Sequence, residues 1–160
     1  MIQIAKRVLP LAIVFILSFP LQAQESYKTG VGLRGGYPSG ITLKHFVTKR
    51  TAMEGILSIG WGYYGVTGLY QIHQPIPDLP DFNWYYGIGG HFAASQSGKK
   101  TPWSSATDGE LYIGVDGVLG VEYVFSEAPI SISVDILPIL NIIESPGVWF
   151  NAGLSVRYVF

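Results

Sequence analysis

Four residues that lie close together in the sequence have the types that acyl chemistry needs: His91, Ser95, Asp108 and Glu110. A serine nucleophile, a histidine base and a carboxylate that orients the histidine form the usual catalytic set for this reaction. The local signature expected around a catalytic histidine and serine is absent, however. We therefore expect His91 to be an inward-facing polar residue and Ser95 a loop residue, and we predict no catalytic site.

Other binding chemistry has little support in the sequence. The three histidines, His45, His73 and His91, are scattered and lack the spacing of a metal site. The glycine-dense segments GLRGGYPSG and YYGIGGHF do not stand between a strand and a helix, so they do not predict phosphate binding. The absence of cysteine excludes a disulfide framework, a thiolate metal site and a lipid anchor on cysteine. No cofactor or metal is expected.

The N-terminus has the organisation of a secretory signal peptide. Lys6 and Arg7 precede an uncharged apolar segment, residues 8–19, and the small residue Ala23 follows where signal peptidase would cut. The apolar segment is too short for a membrane helix, which needs roughly 20 residues. We predict that residues 1–23 are a signal peptide, cleaved near Ala23, and that residues 24–160 form one exported domain.

The composition of the exported domain is unusual for a soluble protein. Without Lys6 and Arg7, 8 basic residues face 11 acidic ones, a net charge of about −3, which predicts no nucleic-acid binding. Only 13% of the residues are charged, whereas 14% are aromatic and 20 are glycine. A typical soluble domain has about 25% charged residues. Low charge without a long apolar segment indicates membrane strands rather than membrane helices.

Apolar and polar residues alternate along most of the exported domain, which predicts β-strands. The alternation is clearest in the segments 112–125, 130–137 and 150–160. Five less regular segments precede them, at 27–37, 41–47, 53–61, 66–73 and 83–92. Each is expected to form one strand of the length that crosses a bilayer when tilted, about 9–11 residues. The sequence thus predicts about eight antiparallel strands.

The connections between these strands are polar or rich in proline and glycine. Short turns are predicted at 37–40, 48–50 and 126–129, a longer connection at 141–147, and the longest polar loop from Ser95 to Gly109. The segment HQPIPDLPDF, residues 73–82, cannot be a central strand or a helix because of its prolines. Either this turn is unusually long or one strand of the first half is miscounted.

Three features predict that the apolar face points outward, to lipid, rather than inward as in a soluble lipocalin-like barrel. First, the polar face is rich in glycine, and the interior of an eight-stranded barrel has room mainly for small side chains. Second, the polar face carries four cations and four anions that could pair in a narrow lumen. They are Lys28, Arg34, Lys44, Glu54, Asp116, Glu122, Asp135 and Arg157. Third, the apolar face ends in aromatic residues, as at membrane interfaces. These are Tyr27, Tyr37, Trp61, Trp84, Tyr86, Tyr123 and Tyr158.

The C-terminal segment NAGLSVRYVF ends in Phe160, with Tyr158 two residues before it. It resembles the terminal strand of bacterial outer-membrane proteins, which implies recognition by the barrel-assembly machinery through Tyr158 and Phe160. The segments 83–92 and 113–141 are similar to small outer-membrane proteins of Bacteroidota, mostly of undefined role, which are built like the OmpA and OmpX barrels. The resemblance implies an all-β fold, a closed antiparallel up-and-down transmembrane β-barrel located in the outer membrane.

Three functions of a membrane barrel remain open after this reasoning, beside the alternative of a soluble periplasmic binding barrel whose apolar face would form the ligand cavity. The leading hypothesis is a non-enzymatic structural or interaction protein of the envelope, in contact with outer-membrane lipid. Its extracellular loop 95–109 would meet a partner protein, through the exposed residues Lys99, Lys100, Trp103 and Asp108. A narrow, porin-like pore for ions or small solutes is the alternative, because charged rings can line a pore. Equal numbers of inward cations and anions favour a plugged lumen instead. A lipid-modifying barrel enzyme is the third hypothesis.

Overall fold

The computed structural model describes residues 27–60, 62–96, 111–143 and 146–160. These residues form eight β-strands, and among them no helix is long and apolar enough to cross a membrane. The strands are β1 (Thr29–Gly36), β2 (Gly40–Phe46), β3 (Thr51–Gly60), β4 (Tyr63–Ile76), β5 (Leu79–Ser95), β6 (Leu111–Val124), β7 (Ile130–Ile143) and β8 (Gly147–Val159). The predicted signal peptide, Trp61 and most of loop 95–109 lie outside the described residues.

Each strand pairs antiparallel with the next one, and β8 pairs with β1, so the sheet closes into an up-and-down barrel. The closing seam runs from the Gly30–Val159 pair to the Gly36–Gly153 pair. The prediction of a closed eight-stranded barrel is confirmed. One end of the barrel holds both termini of the described chain and the turns at 47–50, 77–78 and 125–129, and we call it the terminal end. The opposite end, with the other four connections, is the loop end.

The two faces of the sheet differ in polarity as predicted. In β3, Glu54 and Ser58 are buried inside the barrel, whereas Met53 and Leu57 are exposed on the outside. Alternate residues of a strand point to opposite faces, so this contrast repeats around the barrel. Most large apolar side chains of the described strands are exposed, whereas the charged ones are buried, apart from half-buried Asp81 near the start of β5. A soluble barrel with an apolar interior is therefore the wrong arrangement for this chain.

The proline-rich segment 73–82 forms the end of the β4–β5 hairpin rather than a long irregular turn. β4 continues through Pro75 to Ile76, and β5 begins at Leu79. Only Pro77 and Asp78 connect the two strands, and Asp78 has a φ of 65°. The neighbouring strand β3 begins opposite Ile72, so no third strand needs the missing N–H of Pro75. The strand count was right, and the expectation of an unusually long turn was wrong.

β7 is also longer than predicted, because it continues past Leu137 through Pro138 to Ile143. The ladder between β6 and β7 is interrupted beside this proline, between the Asp116–Ile139 and Leu119–Ile136 pairs. Proline has no N–H to donate to a neighbouring strand, which accounts for the interruption. On its other side Pro138 stays paired with Phe150 of β8. The predicted connection 141–147 is correspondingly shorter.

Candidate functional site

Seven of the eight predicted lumen charges are buried inside the barrel. Their exposed fractions lie between 0% for Lys44 and Arg157 and 3% for Arg34, and the set is completed by Glu54, Asp116, Glu122 and Asp135. The prediction for Lys28 is wrong, because its side chain is exposed just before β1. Tyr27, predicted on the outer face, is buried instead. A bend at Lys28 reverses the alternation there and explains both errors.

Four of these residues form a group that we call the central charge cluster: Lys44, Glu54, Glu122 and Arg157. The Arg157 guanidinium is ion-paired with Glu54 and its Nη1 lies 3.6 Å from Glu122 Oε1. Lys44 Nζ lies between the same two carboxylates, 3.8 Å from Glu54 Oε2 and 3.7 Å from Glu122 Oε2. Two cations and two anions thus alternate across the lumen. Such pairing is what makes charges tolerable in a buried position.

Neutral side chains complete the hydrogen bonding of the central charge cluster. Glu54 accepts from Thr42 Oγ1 at 2.5 Å and from Gln71 Nε2 at 2.6 Å. Glu122 accepts from Tyr27 Oη at 2.7 Å and from Ser131 Oγ at 2.9 Å. These neutral donors add to the ion pairs of the two carboxylates and fill acceptor positions that the cations leave open, which lowers the cost of burying the charges.

Two interactions hold the ends of the cationic side chains. Arg157 Nη1 donates to Ser133 Oγ at 2.7 Å. Lys44 Nζ has no hydrogen-bond partner among the described residues, but it lies 4.3 Å from the centroid of the Tyr85 ring. A cation over an aromatic face is attracted by the quadrupole of the ring. Lys44 is therefore held by charge and by the ring, without directed hydrogen bonds.

A second ion pair joins β1 to β7 on the loop-end side of the central charge cluster. Arg34 Nη1 donates to Asp135 Oδ2 at 2.8 Å and Nη2 donates to Oδ1 at 2.5 Å, a bidentate arrangement. Arg34 Nε donates to the carbonyl oxygen of Pro38 at 3.1 Å. Tyr85 Oη also donates to Asp135 Oδ2, at 2.7 Å. Tyr85 thus contacts both polar groups of the lumen.

His91 belongs to a third polar group, with Asp116 and Asn141. Its Nδ1 lies 2.6 Å from Asp116 Oδ1 and its Nε2 lies 2.8 Å from Asn141 Oδ1. Both ring nitrogens are thus engaged within the barrel wall, as expected for an inward polar histidine. Ser95 is the last residue of β5 rather than a loop residue. Asp108 and Glu110 lie outside the described residues.

The other histidines have separate environments. His45 Nδ1 lies 2.9 Å from Thr29 Oγ1, and the His73 ring stacks on Tyr85 with centroids 4.8 Å apart. Within the part of the chain that the structure describes, no three His, Asp or Glu side chains are placed to hold a metal ion.

Inward glycines provide the space that the lumen side chains occupy. A Cβ atom added at Gly120 would lie 2.6 Å from both Tyr85 Cζ and Asp135 Cβ, and one at Gly153 would overlap the Arg34 guanidinium. Glycine at these positions therefore allows the Arg34, Tyr85 and Asp135 side chains to meet. The alternation in the sequence predicts inward glycines and charges and puts Gln71 and Ser133 on the same polar face, but it left Tyr85 unnoticed. The position of Tyr85, two residues from both Asn83 and Gly87 of that face, could have identified it.

Tyr27 closes the lumen at the terminal end, outside the strands. Burial, followed by the nearby Glu122 carboxylate, raises the pKa of the Tyr27 phenol well above its ordinary value. The phenol therefore keeps its proton and donates to Glu122. Tyr37, also predicted on the outer face, is half-buried at the loop end and stacks on Tyr63, with ring centroids 6.1 Å apart. Trp84 and Tyr86 are exposed on the outer face as predicted.

The geometry defines a class of protein: an eight-stranded up-and-down barrel with an apolar outer surface and a polar interior, as outer-membrane barrels have. The fold is similar to that in the crystal structure of the N-terminal β-barrel domain of Pseudomonas aeruginosa OprF. The TM-score is 0.58 at 14% sequence identity, and the match covers 86% of this chain and 98% of that one. No protein-family model matches the sequence, and no curated protein is similar to it. The likeness to OprF concerns the fold.

Proposed function

We propose that this chain is an outer-membrane β-barrel whose lumen is closed by paired charges, and that it acts as a non-enzymatic structural or interaction protein of the envelope. The observation that carries the proposal is the burial of the lumen cations, Arg34, Lys44 and Arg157, each beside a carboxylate. A conducting lumen would keep such groups in contact with water. The exposed apolar outer face supports a location in lipid. Membership among the small barrels of Bacteroidota rests on the sequence resemblance alone.

The first test is electrophoresis of the membrane fraction with and without boiling. A folded barrel in the outer membrane resists detergent and migrates differently from its boiled form. Recovery of the protein from the soluble periplasmic fraction, without any shift, would overturn the location. The same gel serves as a folding control for every variant below.

Planar-bilayer recording separates the closed lumen from the pore. We expect no discrete conductance from the wild-type barrel. The informative comparison is a quadruple variant with alanine at the positions of Lys44, Glu54, Glu122 and Arg157, which removes the central charge cluster without changing the net charge. Conductance from this variant alone would support a lumen closed by these side chains. Discrete conductance from the wild-type barrel would replace the proposal with the pore.

The proposed partner contact is the loop 95–109 on the cell surface, with both termini in the periplasm. An even number of strands brings both termini to one side, and connections that follow odd-numbered strands lie on the other side. The longest connection follows β5 and therefore faces away from the termini. Deletion of residues 96–108 is expected to abolish capture of an envelope partner by the purified barrel. Capture that survives the deletion would show that another surface makes the contact. A lipid-modifying activity would appear instead as a changed acyl pattern of lipid A when the chain is expressed.

A further inference from the structure

The terminal end of the barrel contains a cavity of about 250 Å³ above the central charge cluster. Glu122 contributes to its floor, and the β2–β3 turn contributes Lys49 and Arg50 to its rim. A dry cavity of about 150 Å³ is large enough to admit benzene, whereas pockets for drug-sized ligands begin near 300 Å³. The cavity at the terminal end is therefore large enough for one substituted ring and small for a peptide or a lipid.

The extended β4–β5 hairpin creates one wall of this cavity. Pro75 of β4 and Asn83 of β5 pair with each other and both line the cavity. The adjacent strand β3 begins opposite Ile72 and so ends short of this pair. If the hairpin ended at the same level as its neighbour, the cavity would lack this wall. The proline-rich segment thus forms a wall of the cavity, although closure of the lumen does not need this wall.

The side walls of the cavity are aromatic. Tyr27 and Phe46 contact edge to face, with centroids 5.1 Å apart, and Phe46 contacts the His73 ring at 4.8 Å. All three residues line the cavity. Aromatic walls favour a flat apolar body, because aromatic rings prefer edge-to-face or offset contacts with one another.

The charge at the mouth of the cavity is positive. Lys44 and Arg157 balance Glu54 and Glu122 in the cluster below, so the floor contributes little net charge. Lys49 and Arg50 are exposed on the rim, and neither forms an ion pair with a described residue. Of the described acidic residues at the same end, Asp78 and Glu127 are exposed and Asp81 is half-buried, and none of the three lines the cavity. Two cations without an ion-pair partner among the described residues, placed beside an aromatic pocket, favour an anionic ligand.

We propose that this cavity is a binding site for a small aromatic carboxylate, whose ring lies against Tyr27 and Phe46 and whose carboxylate meets Lys49 and Arg50. Tyr27 and Glu122 belong both to the cavity lining and to the lumen contacts. Lys49 and Arg50 lie outside the central charge cluster, so these two cations can be changed without altering the pairs that close the lumen. An arginine guanidinium can hold a carboxylate through two parallel hydrogen bonds, and the lysine adds a point charge.

The proposal is tested with 4-fluorobenzoate as the probe and the mature chain in phosphatidylcholine nanodiscs. Fluorine NMR of the probe follows binding, and 4-fluorobenzyl alcohol is the uncharged control ligand. We expect a saturable shift with the carboxylate and a much weaker effect with the alcohol. The double variant Lys49→Gln and Arg50→Gln should weaken binding of the carboxylate about tenfold, as expected for two charge-assisted contacts near the surface.

Two further variants keep the test specific. Lys28→Gln removes an exposed cation at the same end that does not line the cavity, and binding should be unchanged. Asn83→Trp fills the cavity from the hairpin wall and should abolish binding while the barrel keeps its shift on the gel. Equal binding of the alcohol, an equal loss in Lys28→Gln, retained binding in Asn83→Trp, or no saturable shift in the wild-type chain would each overturn the proposal.

Discussion

Arg157 of the last strand is ion-paired with Glu54 of the third strand, 103 residues earlier in the chain. Neither side chain is measurably exposed. The contact crosses the lumen and joins parts of the sheet that are not neighbours in the strand order. The contact therefore depends on closure of the barrel. Its removal measures how much the paired charges contribute to the stability of the barrel.

The substitution Arg157→Met should lower the free energy of unfolding by about 3–5 kcal/mol, because it leaves Glu54 and Glu122 short of a buried cation. Urea unfolding in phosphatidylcholine vesicles, followed by tryptophan fluorescence, measures the change. Adding Glu54→Gln to this variant should recover part of the loss, since one uncompensated carboxylate is then removed. Lys28→Gln, at an exposed position, should stay within about 0.5 kcal/mol of wild type. Equal stability of Arg157→Met and wild type would contradict the assigned pairing.

The lumen glycines provide a second prediction, based on space rather than charge. Gly120→Ala should destabilise the barrel by about 1–3 kcal/mol, the usual cost of overpacking, because the added Cβ meets Tyr85 and Asp135. Gly55 is the matched control, since nothing lies within 4 Å of a Cβ added there. Gly55→Ala should be neutral or slightly stabilising in the same unfolding assay. A similar loss in both variants would mean that the effect does not come from the lumen.

The tip of the β4–β5 hairpin provides a third prediction. Asp78 has a φ of 65°, a conformation that aspartate tolerates and β-branched residues avoid. Asp78→Val should cost about 1–2 kcal/mol, whereas Asp78→Gly should be nearly neutral. The unfolding assay measures both, and the fluorobenzoate titration shows whether the hairpin wall survives. If valine were as stable as glycine, the turn would have a different backbone conformation.

A substitution at Phe160 should affect assembly of the barrel in the cell but not the stability of the folded barrel. Its side chain is exposed, but its backbone accepts from the N–H groups of Lys28 and Thr29, at 3.0 and 2.8 Å. Phe160→Ala keeps these hydrogen bonds, so barrels refolded from urea should be nearly as stable as wild type. In cells we expect less folded barrel in the outer membrane, because the terminal aromatic residue is the proposed assembly signal. Phe150→Ala, an exposed phenylalanine earlier in the same strand, is the control. If Phe160→Ala reached the outer membrane in the same amount as the wild-type chain, Phe160 would not be part of the assembly signal.

The sequence alone predicted the strand number, the closed barrel and most inward charges, because alternation with period two is a local property of each strand. The prediction failed where the alternation with period two is interrupted. The bend at Lys28 turned Tyr27 inward and Lys28 outward, and no residue type marks such a bend. The predicted strands ended before Pro75 and Pro138, but both strands continue through these prolines. β3 does not reach Pro75, and the ladder between β6 and β7 is interrupted beside Pro138. Tolerance of proline depends on the sheet around it.

The site was harder to predict than the fold, because partners across the lumen are far apart in the sequence. The charges of Glu54 and Arg157 were both predicted to point inward, but nothing local indicated that they would pair with each other. Tyr85 was missed because a tyrosine resembles an ordinary strand residue, and nothing local indicated that Gln71, although on the polar face, would bind Glu54. The cavity at the terminal end was also unpredictable, since it depends on how far the β4–β5 hairpin extends beyond the start of β3.

Pairing of β8 with β1 nearly balances the charges on the inward face of the barrel. Before β8 docks, the inward face carries two cations, Arg34 and Lys44, and four carboxylates, on Glu54, Asp116, Glu122 and Asp135. Arg157 arrives with the final strand and brings the deficit down to a single charge. An unfinished sheet would thus present uncompensated anions as well as two unpaired edges to the hydrocarbon. We therefore expect insertion into lipid to be favourable for the completed barrel and unfavourable for a chain that lacks β8.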